Sequence, residues 1–226
     1  MEIVPWKYKN PYSNEKYKEK RSILIGTYQI NIQQIPTKSI SLDQNTGAVV
    51  WDGSYLLANY IADHINVYGK SVMELGAGTG LSGITAKLYG ASTVYLTDIE
   101  DQCQLLQMNI EANATLFQQH SIKSDSLIVK ELIWGTEKQV EIPTVDIILG
   151  SEILYLKQFH QDLITTIRTY SDKNTVLYFV YKQRGLGEEE FFDLAEEYFE
   201  VDMISKDQFQ PEFQQSEYVM FSMRFK

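Results

Sequence analysis

The chain of 226 residues suits one globular domain with a full buried core. Apolar residues make up 44% and charged residues 22%, and no run approaches the roughly 20 apolar residues that a membrane span needs. The net charge of −10 disfavours nucleic acid as a general partner, because binding to phosphates depends on lysine and arginine.

Cysteine and histidine usage limits the chemistry further. Cys103 is the single cysteine and the three histidines are widely spaced, so we predict no internal disulfide and no metal site. The amino terminus lacks the apolar stretch of a signal peptide. We therefore expect a cytoplasmic protein, with the nucleus as the alternative compartment, no membrane association and a monomeric state.

The first predicted elements precede the main domain. Residues 22–35 alternate in hydrophobicity around Tyr28, Ile30 and Ile32, which predicts one or two strands. A helix is predicted over 52–66, because apolar residues recur there at steps of three and four. The residues of that predicted inner face are Trp51, Tyr55, Ala58, Ala62 and Ile65.

Strand and helix signals then alternate to the end of the chain, and this order predicts an α/β fold. The predicted strands are 71–75, 93–98, 126–132, 144–149, 176–181, 199–204 and 218–225, and the predicted helices are 81–89, 100–115, 156–170 and 187–198. Two short apolar runs, 145–149 and 176–181, are typical of parallel strands covered on both faces. A solvent-facing helix is predicted to carry the acidic residues Glu188, Glu189, Glu190, Asp193, Glu196, Glu197 and Glu200.

A glycine loop joins the first strand of this series to its helix. Gly76, Gly78 and Gly80 stand at alternate positions, so the backbone can approach a ligand closely. Leu81 replaces the last glycine of the dinucleotide motif G-x-G-x-x-G, and the chain lacks the Gly-Lys-Ser/Thr ending of a P-loop. A nucleotide-like cofactor is the favoured ligand, and a glycine turn without a ligand is the structural alternative.

Two further residues follow strands at the edge where such a ligand would lie. Asp98 ends the second strand of this series, where doubly wound folds place a carboxylate that accepts hydrogen bonds from ribose hydroxyls. A helix cap is the alternative role for Asp98. Trp134 follows the third strand and is placed to stack on a base, with simple core packing as the alternative.

The segment after the fourth strand, Gly150-Ser151-Glu152-Ile153-Leu154-Tyr155, lies where ligands bind in an open α/β sheet. Glu152 and Tyr155 are three residues apart, a spacing that places both side chains on one helical turn facing a single substrate group. A capping box for the predicted helix 156–170 is the structural alternative.

Four motifs together resemble a known family. They are Thr46-Gly47-Ala48-Val49-Val50-Trp51-Asp52, the Glu74–Gly80 loop, Leu132-Ile133-Trp134-Gly135 and Glu152-Ile153-Leu154-Tyr155, with a weaker match at Arg184 and the segment 190–194. From about residue 22 to the end, the chain resembles the family 16 seven-β-strand protein-lysine methyltransferases, and within them the methyltransferase-like 21 group.

The resemblance implies a fold, a cofactor and an activity. The fold is a doubly wound, seven-stranded class I methyltransferase (Rossmann-like) sheet with an antiparallel last strand and a short amino-terminal β extension. Residues 1–45 would form that extension, and residues 46–226 the methyltransferase domain. The activity would be methyl transfer from S-adenosyl-L-methionine to the side-chain amine of a lysine in a protein substrate, of the chaperone, elongation factor or ATPase type.

By the same resemblance, Glu152 and Tyr155 would border the lysine channel. Glutamate here replaces the more usual aspartate of that motif, which leaves the reach of the carboxylate open. The residues implied to contact the cofactor are Trp51, Gly76, Ala77, Gly78, Asp98, Trp134 and Ser151.

Two other functions remain open from the sequence. The first is methylation of a small amine, whereas a nucleic acid base is disfavoured because Ser151-Glu152-Ile153-Leu154 replaces the Asn/Asp-Pro-Pro-Tyr/Phe motif of such enzymes. The second is a non-catalytic binding module that keeps the fold. Binding of S-adenosylmethionine and labelling of a protein acceptor distinguish these functions.

Overall fold

The structure of the protein, a computed structural model, describes residues 17–36, 46–136 and 141–226. Its centre is a seven-stranded sheet, and a separate two-stranded hairpin packs beside it. The boundary predicted between the extension and the methyltransferase domain, at residue 45, lies outside the described residues.

The hairpin consists of β1 (Lys20–Ile25) and β2 (Tyr28–Gln33), which pair antiparallel across a turn at Gly26. This confirms the strands predicted in 22–35. Ile30 and Ile32 are buried and belong to the same apolar cluster as the sheet. The hairpin is therefore packed on the main core.

The sheet follows the predicted alternation of strands and helices. Its strands are β3 (Ser71–Leu75), β4 (Thr93–Asp98), β5 (Leu127–Glu131), β6 (Ile147–Ser151), β7 (Val176–Lys182), β8 (Phe199–Met203) and β9 (Tyr218–Phe225). The helices are α1 (Asp52–His64), α2 (Leu81–Leu88), α3 (Glu100–Ala112), α4 (Ala114–Gln119), α5 (His160–Tyr170) and α6 (Glu189–Ala195).

The strand order is β5-β4-β3-β6-β7-β9-β8, with parallel pairing from β5 to β7. β9 pairs antiparallel with both β7 and β8, as predicted for the last strand. The chain winds in one direction from β3 to β5 and in the other from β6 onward, so β3 and β6 flank the switch point. In open α/β sheets the ligand crevice lies at the carboxyl ends of the strands beside that point.

The predicted helix starting at residue 156 is wrong at its beginning. The segment after β6 is irregular until a 3₁₀ turn at Lys157–Phe159, and α5 begins only at His160. Glu152 and Tyr155 therefore do not share a helical turn. The left-handed backbone of Glu152 (φ 57°) ends the strand and prevents an immediate helix.

The predicted helices at 100–115 and 187–198 and the strand at 144–149 also differ in extent. The first divides into α3 and α4 at Asn113, α6 is confined to Glu189–Ala195, and β6 begins at Ile147. The inner face of α1 was predicted correctly only in part. Ala58 and Ile65 are buried as predicted, but Tyr55 and Ala62 are half-buried, and Leu57 and Ile61, which were not predicted, are fully buried. The buried face is turned because α1 packs on α2 and on the sheet at once.

Within the described residues, no helix combines the length and the apolar character needed to cross a bilayer.

Two asparagines, Asn109 in α3 and Asn113 directly after it, hold the outer edge of β2. Asn113 accepts from the Asn31 N–H and donates to the Asn31 carbonyl, at 2.9 and 2.8 Å. One helical turn earlier, Asn109 makes the same pair of bonds with Gln33, at 2.6 and 3.2 Å, and also donates to the Thr79 carbonyl at 2.9 Å. We call these bonds the amide ladder. It satisfies a buried strand edge and connects the hairpin to the glycine loop.

Replacing Asn109 by alanine is expected to lower the free energy of unfolding by about 2–4 kcal/mol, because buried backbone groups lose their partners. Asn109 is fully buried, and its amide serves three backbone groups. Urea unfolding followed by circular dichroism measures the change. Gln107→Ala, at an exposed position of the same helix, is the control and is expected to change stability by under about 0.5 kcal/mol.

Candidate functional site

The predicted site residues lie along one edge of the sheet, at the carboxyl ends of the parallel strands. Gly76 follows β3, Asp98 ends β4, Trp134 follows β5 and Ser151 ends β6. Glu152 and Tyr155 follow Ser151, and Trp51 immediately precedes α1. The topology therefore gathers residues that are up to about a hundred positions apart in the chain into one crevice.

The glycine loop needs its glycines for conformation and for packing. Gly76, Gly78 and Gly80 all have left-handed backbones, with φ of 60°, 55° and 80°. A Cβ on Gly78 would lie 2.8 Å from the Gly47 carbonyl oxygen, and a Cβ on Gly76 would lie 2.8 Å from Ile153. The loop thus fits closely against the segment before α1 on one side and the segment after β6 on the other.

Asp98 fixes this loop to the end of β4. Its Oδ2 accepts the Gly78 N–H at 2.7 Å and its Oδ1 accepts the Ile99 N–H at 2.8 Å. Burial raises the pKa of the carboxyl, while the two backbone N–H groups oppose that rise. The neighbouring Ala77 N–H donates to the Thr97 carbonyl, so the backbone of the loop is held at two points.

Aromatic side chains line two parts of the crevice. The Trp51 Nε1–H donates to the Thr46 carbonyl at 2.6 Å, and the Thr46 hydroxyl is 2.8 Å from the Tyr155 hydroxyl. Trp134 is half-buried over Gly76, where an added Cβ would lie 3.4 Å from the indole. Trp134 also packs against the apolar cluster below, which is the core-packing role considered from the sequence.

Glu152 is held by several elements in a conformation that is unusual for a residue with a side chain. Its left-handed backbone costs energy, and such strain is concentrated at functional sites. Its side chain is 8% exposed, and Oε2 lies 2.8 Å from Arg184 Nη1. Oε1 lies against Gly53 at the start of α1, and no described residue forms a hydrogen bond with it.

Arg184 and Glu188 extend this group, although the sequence did not identify Glu188. Glu188 was predicted to face solvent with its acidic neighbours, but it is 1% exposed. Its Oε1 accepts the Arg184 N–H and its Oε2 accepts the Leu186 N–H. The loop after β7 needs an acceptor for those two N–H groups, and the turn signal of Gly185 and Gly187 beside a carboxylate was the available clue.

Glu74 lies behind the glycine loop rather than in the crevice. It is 1% exposed, and its Oε2 accepts the Gly83 N–H of α2 at 2.8 Å. Burial raises its pKa to about 8; the hydrogen bonds from Gly83 and Ser82 oppose that rise, and the charge of Asp98 adds to it. Glu74 therefore retains a proton at a pH where the unfolded chain has lost it.

Glu74 is expected to make the protein less stable as the pH rises. Because the folded-state pKa lies above the unfolded value, this stabilisation is complete below about pH 4.5 and is lost as the pH approaches 8. Across this pH range, Glu74 lowers the free energy of unfolding of the wild type by on the order of 4 kcal/mol. Glu74→Gln should not show that decrease. Urea unfolding at several pH values checks this result. The exposed Glu100→Gln should retain the wild-type slope, and an unchanged slope in Glu74→Gln would contradict the assignment.

Among the side chains that the structure describes, no group of three or more His, Cys, Asp or Glu is placed to hold a metal ion.

The sequence matches a family model described as "Lysine methyltransferase" over residues 33–198. A mouse relative, "Protein N-lysine methyltransferase METTL21A", is 30% identical over 92% of this chain and 91% of its own length. The METTL21A protein of Xenopus tropicalis is 34% identical over 68% of this chain and 69% of its own.

Solved structures share the fold at low sequence identity. A ribosomal protein L11 methylase from Lactobacillus delbrueckii aligns with a TM-score of 0.61 and 16% identity, over 92% of this chain and 100% of its own. The Thermus thermophilus RsmC methyltransferase, solved with AdoMet and guanosine, aligns with a TM-score of 0.58 and 19% identity, over 92% of this chain and 50% of its own. The putative methyltransferase SMU.776, solved with SAH, aligns with a TM-score of 0.60 and 15% identity, over 91% of this chain and 56% of its own.

The sheet order with its antiparallel last strand is thus the class I methyltransferase fold. The family match covers the glycine loop, the end of β6 and the loop after β7. The chain belongs to the lysine methyltransferase family and is a protein-lysine methyltransferase.

Proposed function

We propose that the chain binds S-adenosyl-L-methionine in the crevice beside β3 and uses Glu152 to receive the amine of a substrate lysine. The observation that carries this proposal is the position of Glu152. It is a strained, buried carboxylate, with one oxygen free of described partners, on the same sheet edge as the glycine loop and Asp98.

The residues of the crevice fit this cofactor. Asp98 keeps lone pairs on both oxygens beyond its two backbone bonds, and these can accept from ribose hydroxyls. Trp134 would wall the adenine, and the left-handed glycines keep side chains away from the path of the cofactor. Ala77, after β3, and Ser151, at the end of β6, would border that path, and Trp51, just before α1, would close it. When bound, the cofactor supplies a methyl group made electrophilic by its sulfonium.

The chain itself must handle the amine. A lysine with a pKa of about 10.4 is protonated at neutral pH, and removing its proton costs about 4–5 kcal/mol at pH 7. Oε1 of Glu152 would accept an N–H of the lysine and aim the nitrogen lone pair along the line of transfer. Orientation is therefore the role that we assign to Glu152.

Tyr155 shapes the entrance. Its hydroxyl is held by Thr46, whose carbonyl in turn binds the Trp51 indole, so the ring is fixed beside the segment that precedes α1. An aromatic ring in that position excludes water and attracts a cationic side chain to its face. We assign Tyr155 to the wall of the lysine channel.

The substrate that we propose is a folded protein of the chaperone, elongation factor or ATPase type, methylated in the cytoplasm. The resemblance to the methyltransferase-like 21 group supports that choice. The net charge of −10 would favour a basic region around the target lysine.

Incubating the purified chain with tritiated S-adenosylmethionine and a lysate of its organism tests the proposal. The purified chain should label a small number of protein bands, and mass spectrometry should locate the methyl groups on lysine. Binding of the cofactor should be measurable by calorimetry. Label found only in small molecules, or no binding at millimolar cofactor, would contradict the proposal.

A further inference from the structure

The buried carboxylate at the end of β6 carries a permanent counter-ion from the loop after β7. Arg184 Nη1 lies 2.8 Å from Glu152 Oε2, and the same nitrogen donates to the Lys182 carbonyl at 3.3 Å. Burial lowers the pKa of Arg184, but Glu152, with Tyr218 and Glu188, outweighs that effect and the net shift is upward. The guanidinium therefore remains charged at every pH at which the enzyme would work.

The loop that presents Arg184 is itself anchored. Both carboxylate oxygens of Glu188 accept backbone N–H groups, from Arg184 at 3.0 Å and from Leu186 at 2.8 Å. Glu188 is buried, so these bonds are not exposed to competing solvent. Arg184 thus reaches Glu152 from a fixed backbone position.

Other charged or titratable groups face the pair from three elements. Asp52 lies at the start of α1, and Lys182 and Glu188 flank Arg184 along the chain. The side chain of Lys182 is paired with Glu217, at 3.1 Å. Tyr218 lies beside Glu152 and forms a hydrogen bond with its side chain. Burial raises the pKa of Tyr218, the charges of Glu152 and Asp52 add to that rise, and Arg184 opposes it. Arg184 is therefore the cation in direct contact with Glu152 among the described residues.

An isolated carboxylate would work against the reaction. A negative charge a few ångströms from an amine stabilises the ammonium form, and methyl transfer needs the neutral form. A carboxylate that already faces a guanidinium exerts a much weaker net field on a third group, yet its second oxygen still accepts a hydrogen bond.

Building on the proposed function, we propose that Arg184 is a positioning residue that neutralises Glu152 and fixes it through Oε2, so that Oε1 orients the acceptor amine without holding it in the ammonium form. The different roles of Oε1 and Oε2 follow from their contacts. Oε2 contacts Arg184, whereas Oε1 lies against Gly53 and accepts no hydrogen bond from the described residues.

The pH profile of transfer tests this role. In Arg184→Met, the acidic limb of the initial rate at saturating cofactor is expected to move to higher pH by about one unit, so that transfer at pH 7 falls about tenfold. The loss should largely disappear near pH 10, and Arg184→Lys should keep most of the wild-type profile. The acceptor is the lysate protein that the wild-type enzyme labels.

A matched control separates this effect from a general change in charge. Arg224 lies near the far end of β9 and faces Asp202, so Arg224→Met removes the same group far from Glu152. Its profile should coincide with that of the wild type. A uniform loss of rate in Arg184→Met at every pH, with an unmoved limb, would overturn the proposal.

A second measurement needs no acceptor. Without Arg184 the buried Glu152 is unpaired, so the Tm deficit of Arg184→Met should be larger at pH 8 than at pH 5. The double variant with Glu152→Gln should recover most of that deficit. An equal deficit at both pH values, unchanged in the Glu152→Gln background, would overturn the proposal. If the wild type labelled no protein, the proposed function would fail, while this thermal cycle would still decide the role of Arg184.

Discussion

Glu152→Gln is expected to lower the rate of lysine methylation by about 100-fold or more, because the amine loses the group that orients it. Arg184 donates a hydrogen bond to Oε2 of Glu152, so in the glutamine variant it would hold the amide oxygen at that position. The amide NH₂ would then face the substrate, where an acceptor is needed. Initial rates with tritiated cofactor measure the loss.

Cofactor binding separates this effect from damage to the fold. Calorimetry should give the same Kd for S-adenosylmethionine in Glu152→Gln as in the wild type, since Glu152 is assigned to the amine. Glu189→Gln, an exposed acid at the start of α6, is the matched control and should leave the rate unchanged. Loss of both binding and transfer in Glu152→Gln would indicate a structural role instead.

Asp98→Ala is expected to weaken cofactor binding by about 100-fold, a loss of roughly 2.7 kcal/mol at 1.36 kcal/mol per tenfold change. The carboxylate holds the Gly78 N–H of the glycine loop and is the proposed partner of the ribose hydroxyls. Its removal therefore loosens the loop and deletes two acceptors together. Calorimetric titration with S-adenosylmethionine gives the change directly.

Asp101→Ala removes a carboxylate from the exposed first turn of α3, three residues further along the chain. Its Kd should remain within about twofold of the wild type. A similar loss in both variants would show that overall charge governs cofactor binding, and that the position of Asp98 does not matter.

The elements of this fold were predictable because their signals are local. A strand that breaks at Gly76 and a carboxylate at the end of β4 are each visible within a few residues. The antiparallel last strand followed from the order of elements and the family resemblance. These features correctly placed the glycine loop and the segment after β6 on one edge of the sheet.

The sequence did not predict the features that depend on distant partners. The left-handed Glu152 has no local signal such as glycine, and it moved the start of α5 from residue 156 to His160. The buried Glu188 lies in an acidic run that is typical of an exposed helix face. Its side chain is buried because it accepts the Arg184 and Leu186 N–H groups, which local sequence does not reveal. Asn109 contacts Gln33 across 76 positions, which no periodicity reveals.

The amide ladder also determines how far the protein can be shortened. A chain beginning at Thr46 would lack β1 and β2, so Asn109 and Asn113 would lose their bonds to Gln33 and Asn31 and would line an open apolar groove. Such a groove accepts any extended strand of suitable length, including β2 of another copy. Full-length protein keeps its own hairpin in place, so only the shortened chains would take up extended segments of other molecules, and they would aggregate as a result.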